Sequence, residues 1–216
     1  MSTSKLELQN LIKDHPELYD VQPNIEQVFD IIQQALASEH TLYICGNGGS
    51  AADAEHIAGE LLKGFTLKRP LSVDRRKRLN SACRDSSEAE YLKANLQQGL
   101  RAIALTGHVA LSTAMANDVA SDLIFAQQLN ALGRSGDVLL CISTSGNAKN
   151  VNLCAAVARA LDIKVVGLTG ESGGALKSRA DVMINVPAEE TYKIQELHLP
   201  VYHCLCAMLE KAFFKK

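Results

Sequence analysis

At 216 residues, 47% of them hydrophobic, the chain can bury one sizeable α/β core and is too short to assume two full domains. Its 22 Lys and Arg against 24 Asp and Glu create no field that would recruit nucleic acid or an anionic membrane surface, which leaves a small metabolite as the expected partner. The first nine residues lack the apolar core of a signal peptide, and no run is long enough to span a bilayer, so a cytoplasmic location is expected.

Apolar residues three and four apart predict helices over 6–13 and 25–36, so that 1–40 forms a helical preface to the first strand. The apolar run 41–45 reads as a buried strand, and helical spacing returns over 51–62. The segment 70–99 breaks the pattern: it is charged, nearly free of glycine and helix-compatible, and is expected to be an insertion. Its Arg75, Arg76, Lys77 and Arg78 read either as a solvated face or as a lid over an anion or a subunit contact. Apolar runs at 102–105, 138–142, 164–168 and 181–186 alternate with helical stretches at 109–132, 147–161 and 173–179. A last helix over 190–213 contains Pro200, which predicts a kink or local break. Strands alternating with helices imply a parallel sheet covered on both faces, in one domain over 1–216.

The six cysteines are scattered. Cys45, Cys141 and Cys154 lie in apolar runs, where cysteine behaves as a small buried hydrophobe, and free thiols are expected. Cys204 and Cys206, two apart on a helix, point to different sides and do not suggest a metal site.

Two turns carry the functional signal. Cys45-Gly46-Asn47-Gly48-Gly49-Ser50 and Ser143-Thr144-Ser145-Gly146-Asn147 each follow a predicted strand and open a predicted helix. A helix start offers unpaired N–H groups and partial positive charge, glycines admit close backbone approach, and hydroxyls add donors. A single glycine turn is ordinarily only a turn. Two of them at the carboxyl ends of parallel strands, carrying Asn47, Ser50, Ser143, Thr144 and Ser145, point to one phosphate-bearing ligand held from two sides. Neither a dinucleotide fingerprint nor a P-loop motif is present, which argues against a nucleotide.

Downstream of the first turn, His56 and Glu60 are four apart and share a helix face, either as ligands of one metal or as an acid and its base. Gln195, His198 and His203 form a second polar group in an otherwise apolar helix. Gln195 and His203 are separated by roughly 12 Å along an ideal axis. They can share an ion only through side-chain lean, distortion near Pro200, or a neighbouring subunit, and His203 by itself reads first as a satisfied core histidine.

Taken in order, residues 45–62, Asn117-Asp118, residues 136–147, Leu168-Thr169-Gly170, Gly173-Gly174, residues 194–198 and His203 resemble the sedoheptulose-7-phosphate (phosphoheptose) isomerase family of the sugar-isomerase (SIS) fold. The resemblance implies a three-layer α/β sandwich on a five-stranded, parallel, flavodoxin-like sheet. It also implies a homotetramer with active sites where subunits meet, and one zinc ion per subunit. It places the phosphate on Ser143, Thr144 and Ser145. Asn47, Gly48, Gly49 and Ser50 would line the sugar, with Asn117 and Asp118 also facing substrate. His56, Glu60, Gln195 and His203 match the zinc ligands, Glu60 and Gln195 also meet substrate, and Glu60 and His203 match the base and acid.

Those residue types suit aldose–ketose isomerisation, in which a proton leaves the carbon beside a carbonyl and one returns to its neighbour through an enediol. A carboxylate abstracts, an imidazole serves the oxygens, and zinc polarises the carbonyl. Three positions depart from the family pattern: Ala148 replaces a phosphate-binding serine, Gly64 a substrate-binding arginine, and Tyr192 an aspartate. Lys63, Lys68 or Arg69 is the expected substitute source of charge. Isomerisation or sensing of another sugar phosphate is the alternative, as is a non-enzymatic scaffold of this fold that binds the replication initiator. Retention of His56, Glu60, Gln195 and His203 favours an enzyme.

Overall fold

A computed structural model describes residues 3–214. Helices α1 (Thr3–Asp14) and α2 (Gln22–Ala37) precede the first strand, β1 (Leu42–Cys45). Then follow α3 (Gly49–Leu62), α4 (Val73–Ala82), α5 (Ser86–Asn95), β2 (Ala102–Ala104), α6 (Val109–Asp118) and α7 (Ile124–Leu132). The chain continues through β3 (Val138–Ile142), α8 (Lys149–Ala160), β4 (Lys164–Thr169) and β5 (Val182–Asn185), and closes with α9 (Thr191–Phe214).

The five strands are all parallel in the order β2-β1-β3-β4-β5, which is the flavodoxin-like order expected. Alternation along each strand separates two cores. Val138, Leu140 and Ile142 of β3 face a layer built by α1, α2, α3 and α9. Leu139 and Cys141 face α7 and α8. Both sides are apolar because both are covered, which is why the strands read as continuous hydrophobic runs. Cys45, Cys141 and Cys154 sit in the second core as free, fully buried thiols.

Strand order reverses between β1 and β3, the position where open parallel sheets leave a crevice at their carboxyl ends. The Asn47–Ser50 turn leaves β1 and the Ser143–Asn147 turn leaves β3 at this switch point.

Three expectations change. The predicted helix over 109–132 is two helices, α6 and α7, joined through a 3-10 turn at Ser121–Leu123. The stop falls at Asn117 and Asp118, residues of low helix propensity, whose side chains bond each other at 2.7 Å. The stretch 173–179 yields only a 3-10 turn, Gly174–Ser178, after two glycines with positive φ. Pro200 does not break α9, which runs unbroken from Thr191 to Phe214. Its missing N–H forfeits one bond, while burial of Ile194, Val201, Tyr202 and Leu205 holds the flanking turns in the core.

Between α3 and β2, α4 and α5 form the helical part of the predicted insertion. Helix α4 buries no residue and α5 buries only Ala89. Pro70 and Gln97 pair as an antiparallel bridge at its base.

Candidate active site

The two turns line one cleft of about 350 Å³ together with Ile142, Ala148, Thr191 and Gln195. Its conformation depends on glycine at specific points. Gly48 caps α3 with φ 56° and ψ −122°, a region essentially closed to other residues. Gly146 has φ 67°, and a Cβ there would lie 2.0 Å from the Gly173 carbonyl oxygen, so the second turn is locked against the Gly173-Gly174 turn. The Asn147 side chain strengthens that lock by accepting from the Ala175 N–H at 2.9 Å. Ala148 stands at the N-cap of α8 and supplies no side-chain cap, and the Thr144 and Ser145 amides donate to no protein group among the described residues. The cleft therefore presents the free donors that an anion uses.

Gln195 reaches the cleft from α9. A Cβ on Gly49 would come within 2.3 Å of its Nε2, so only glycine leaves room for the amide. The Asn47 side chain, expected at the sugar, is paired in both directions with Asn150: Asn47 Nδ2 donates at 2.9 Å and Asn150 Nδ2 donates back at 2.8 Å. Asn117 and Asp118 are exposed at the end of α6 and are not among the residues lining the cleft.

A second cluster lies further along the same two helices. His56 Nε2 is 3.3 Å from Glu60 Oε1 on α3, the i,i+4 neighbour predicted from the spacing. The His203 ring from α9 stands 5.0 Å from the His56 ring, centroid to centroid, and Phe65 packs 5.5 Å from His203 on another side. His203 Nε2 is buried without a hydrogen-bond partner. Burial, and then the neighbouring His56, lower the His203 pKa against a smaller opposing pull from Glu60, so the ring is neutral near neutral pH. Lys63 Nζ sits 3.3 Å from Glu60 Oε2.

Among the described residues, no three His, Cys, Asp or Glu side chains are gathered tightly enough to hold an ion. In kind the cluster fits one: two imidazoles and a carboxylate form an N/O donor set, and His203 Nε2 is an orphaned nitrogen. Gln195, expected as a fourth ligand, has its amide in the cleft against Gly49.

The loop after α3 corrects one expectation and explains another. Arg69 is not available for phosphate, because it is 1% exposed and ion-paired to the fully buried Glu210 at 2.7 Å. Its guanidinium also donates to the Leu61 and Glu60 carbonyls at 2.8 and 3.0 Å and stacks on Phe214. Glu210 further accepts from the Phe65, Thr66 and Leu67 amides and the Thr66 hydroxyl. Burial pushes its carboxyl up, but the bonds from Thr66, Phe65 and Arg69 outweigh that and hold it below the ordinary range. This clamp fixes the end of α3 and hence the backbone of Glu60. Gly64 stands where its N–H donates to Gln97 Oε1 at 3.0 Å, and a Cβ would meet that oxygen at 2.5 Å, so the place of the missing arginine is filled. Lys68 lines a different cavity, with Pro70, Lys93 and Gln97.

Thr191, Asn150 and Tyr202 escape a reading of the sequence. Thr191 carried a signal, a hydroxyl at a helix start; the other two are recognised only through partners 103 and 146 positions away.

A parallel flavodoxin-like sheet with an anion-ready cleft at its switch point, beside a His–Glu–His cluster, marks an α/β protein built to hold an anionic ligand. Comparison with known proteins agrees. A family model described as "SIS domain" matches residues 18–93 and 92–170. The phosphoheptose isomerase of Thiobacillus denitrificans is 44% identical over 187 residues, covering 85% of this chain and 81% of that one. That of Geotalea daltonii is 35% identical over 96% of both chains. The solved phosphoheptose isomerase of Neisseria gonorrhoeae superposes with a TM-score of 0.72 at 32% identity, over 94% of both chains. The chain belongs to the phosphoheptose isomerase family of SIS-domain proteins.

Proposed function

We propose that this protein is an aldose–ketose isomerase that converts D-sedoheptulose 7-phosphate to D-glycero-D-manno-heptose 7-phosphate through an enediol. The observation that carries this reading is that α3 and α9 each serve both halves of the site. Gly49 and Gln195 border the anion-ready cleft, while Glu60 and His203 stand further along the same helices. A substrate whose phosphate occupies the Ser143–Ser145 turn extends its carbonyl end toward the cluster.

Glu60, partly shielded from water, is the base that removes the proton beside the carbonyl. His203, neutral near neutral pH, exchanges protons with the sugar oxygens. Lys63, beside Glu60, offsets negative charge at the carboxylate. Zinc held by His56, Glu60 and His203, with Gln195 as a fourth donor, supplies Lewis-acid polarisation of the carbonyl when bound. A homotetramer with sites at subunit contacts and a cytoplasmic location, implied by the sequence resemblance, are further parts of this reading.

An assay over a panel of ketose and aldose phosphates with zinc present tests it. We expect turnover of sedoheptulose 7-phosphate and a loss of about 10²–10⁴-fold in kcat for Glu60→Gln. Turnover of another sugar phosphate alone would replace the substrate while keeping the reaction. An undiminished Glu60→Gln would remove the mechanism.

A further inference from the structure

Asn150 is the second residue of α8, just past the Ser143–Asn147 turn, and its side-chain amide closes a ring with that of Asn47 on the first turn. Asn47 Nδ2 donates to Asn150 Oδ1 at 2.9 Å, and Asn150 Nδ2 donates to Asn47 Oδ1 at 2.8 Å. The two ends of an amide are told apart by their partners, and here a backbone group decides. The Val151 N–H lies in the first turn of α8, where amides have no carbonyl of their own helix to reach. It donates to Asn150 Oδ1 at 3.0 Å. An N–H only donates, so the atom it meets is the oxygen, and the Asn47 atom facing that oxygen is the nitrogen.

The consequence falls on Asn47. Its backbone is already held: the Asn47 carbonyl accepts from the Ser50 N–H at 3.0 Å, and Gly48 follows in its positive-φ conformation. The backbone leaves the side chain free to rotate, and a rotated amide would offer an acceptor in place of a donor. The ring with Asn150 removes that freedom. One Asn47 amide proton is spent on Asn150, and the other has no protein partner among the described residues. Asn47 lines the cleft and Asn150 is not among the lining residues, so Asn150 reaches a ligand only through Asn47.

We propose that Asn150 is a positioning residue that turns the Asn47 amide so that an N–H, rather than the oxygen, meets a hydroxyl or carbonyl oxygen of the sugar. This rests on the reading of the cleft as a sugar-phosphate site. It adds a division of labour, in which the Ser143–Ser145 turn holds the phosphate and the asparagine pair reads the sugar.

A double-mutant cycle on the full chain tests it. Asn47 is exposed and Asn150 half-buried, so alanine at either position opens no cavity. Calorimetry measures the affinity for sedoheptulose 7-phosphate and, separately, for inorganic phosphate. Asn47→Ala and Asn150→Ala should each weaken the sugar phosphate about 5–10-fold, the loss of one hydrogen bond. The double variant should be no weaker than either single one, because Asn150 then has nothing to position. Inorganic phosphate should keep its affinity in all three. Single effects that multiply in the double variant overturn the proposal, since Asn150 would then act by itself. An Asn150→Ala protein that binds the sugar phosphate as well as the parent overturns it too. So does an equal loss of inorganic phosphate, which would make the pair a brace for the phosphate turn. A parent chain that shows the expected cycle but does not isomerise the sugar upholds the pair and overturns the proposed reaction. A parent chain that binds no sugar phosphate overturns both.

Discussion

His198 lies on α9 between the two halves of the site, fully buried, with neither ring nitrogen hydrogen-bonded. Burial, offset in part by the Thr169 backbone, lowers its pKa from 6.5 to about 4. A histidine that resists protonation when folded favours the native state fully above its unfolded pKa. That contribution is lost as pH falls from about 6.5 toward 4, on the order of 3 kcal/mol in all. Urea unfolding at a series of pH values should therefore show stability dropping through this window, and His198→Leu should flatten the drop. An equal slope in the variant would assign the loss to other groups. At this scale the sequence was most readable where chemistry is local. Glycines and hydroxyls after an apolar run mark the cleft, and an i,i+4 pair marks His56 and Glu60. Arg69 was misread because its fate depends on Glu210, 141 residues away.

The elements that aim these residues are α3 and α9, and the Arg69–Glu210 clamp ties their ends together. Removing one partner of a buried ion pair leaves the other charged and unpaired, at a cost of about 3–5 kcal/mol. Glu210 also satisfies three backbone amides of the loop after α3, so Glu210→Ala should lie toward the upper end of that range in urea unfolding. A change below about 1 kcal/mol would show that the loop finds other partners. Strands and long helices were legible because two-sided burial and 3.6-residue periodicity each leave a pattern in the sequence. The stop after Asp118 and the persistence of α9 through Pro200 were not. The first turns on low helix propensity at two adjacent polar residues, the second on packing around α9 that outweighs one lost hydrogen bond.

Over the whole molecule, the two-sided sheet carries its cores without help from the α4–α5 hairpin. Because Pro70 and Gln97 pair at the hairpin's base and α4 buries nothing, a short linker replacing 72–95 should keep the fold. We expect Tm to shift by less than about 4 °C, corresponding to about 1 kcal/mol for a chain of this size. A fall in kcat/KM with Tm preserved would assign the basic helix to a lid or subunit contact, and a large loss of Tm would show that the hairpin belongs to the core. Its charge pattern left both roles open, since a solvated face and a docking face have the same composition. The reciprocal amides of Asn47 and Asn150 tie the two turns in another way. Each amide gives one bond to the other and takes one back, so aspartate at either position sets two acceptors against each other, and serine is too short to span the gap. Two sites 103 residues apart are thus bound to one evolutionary fate, and drift at the lip of the first turn must be answered at the start of α8.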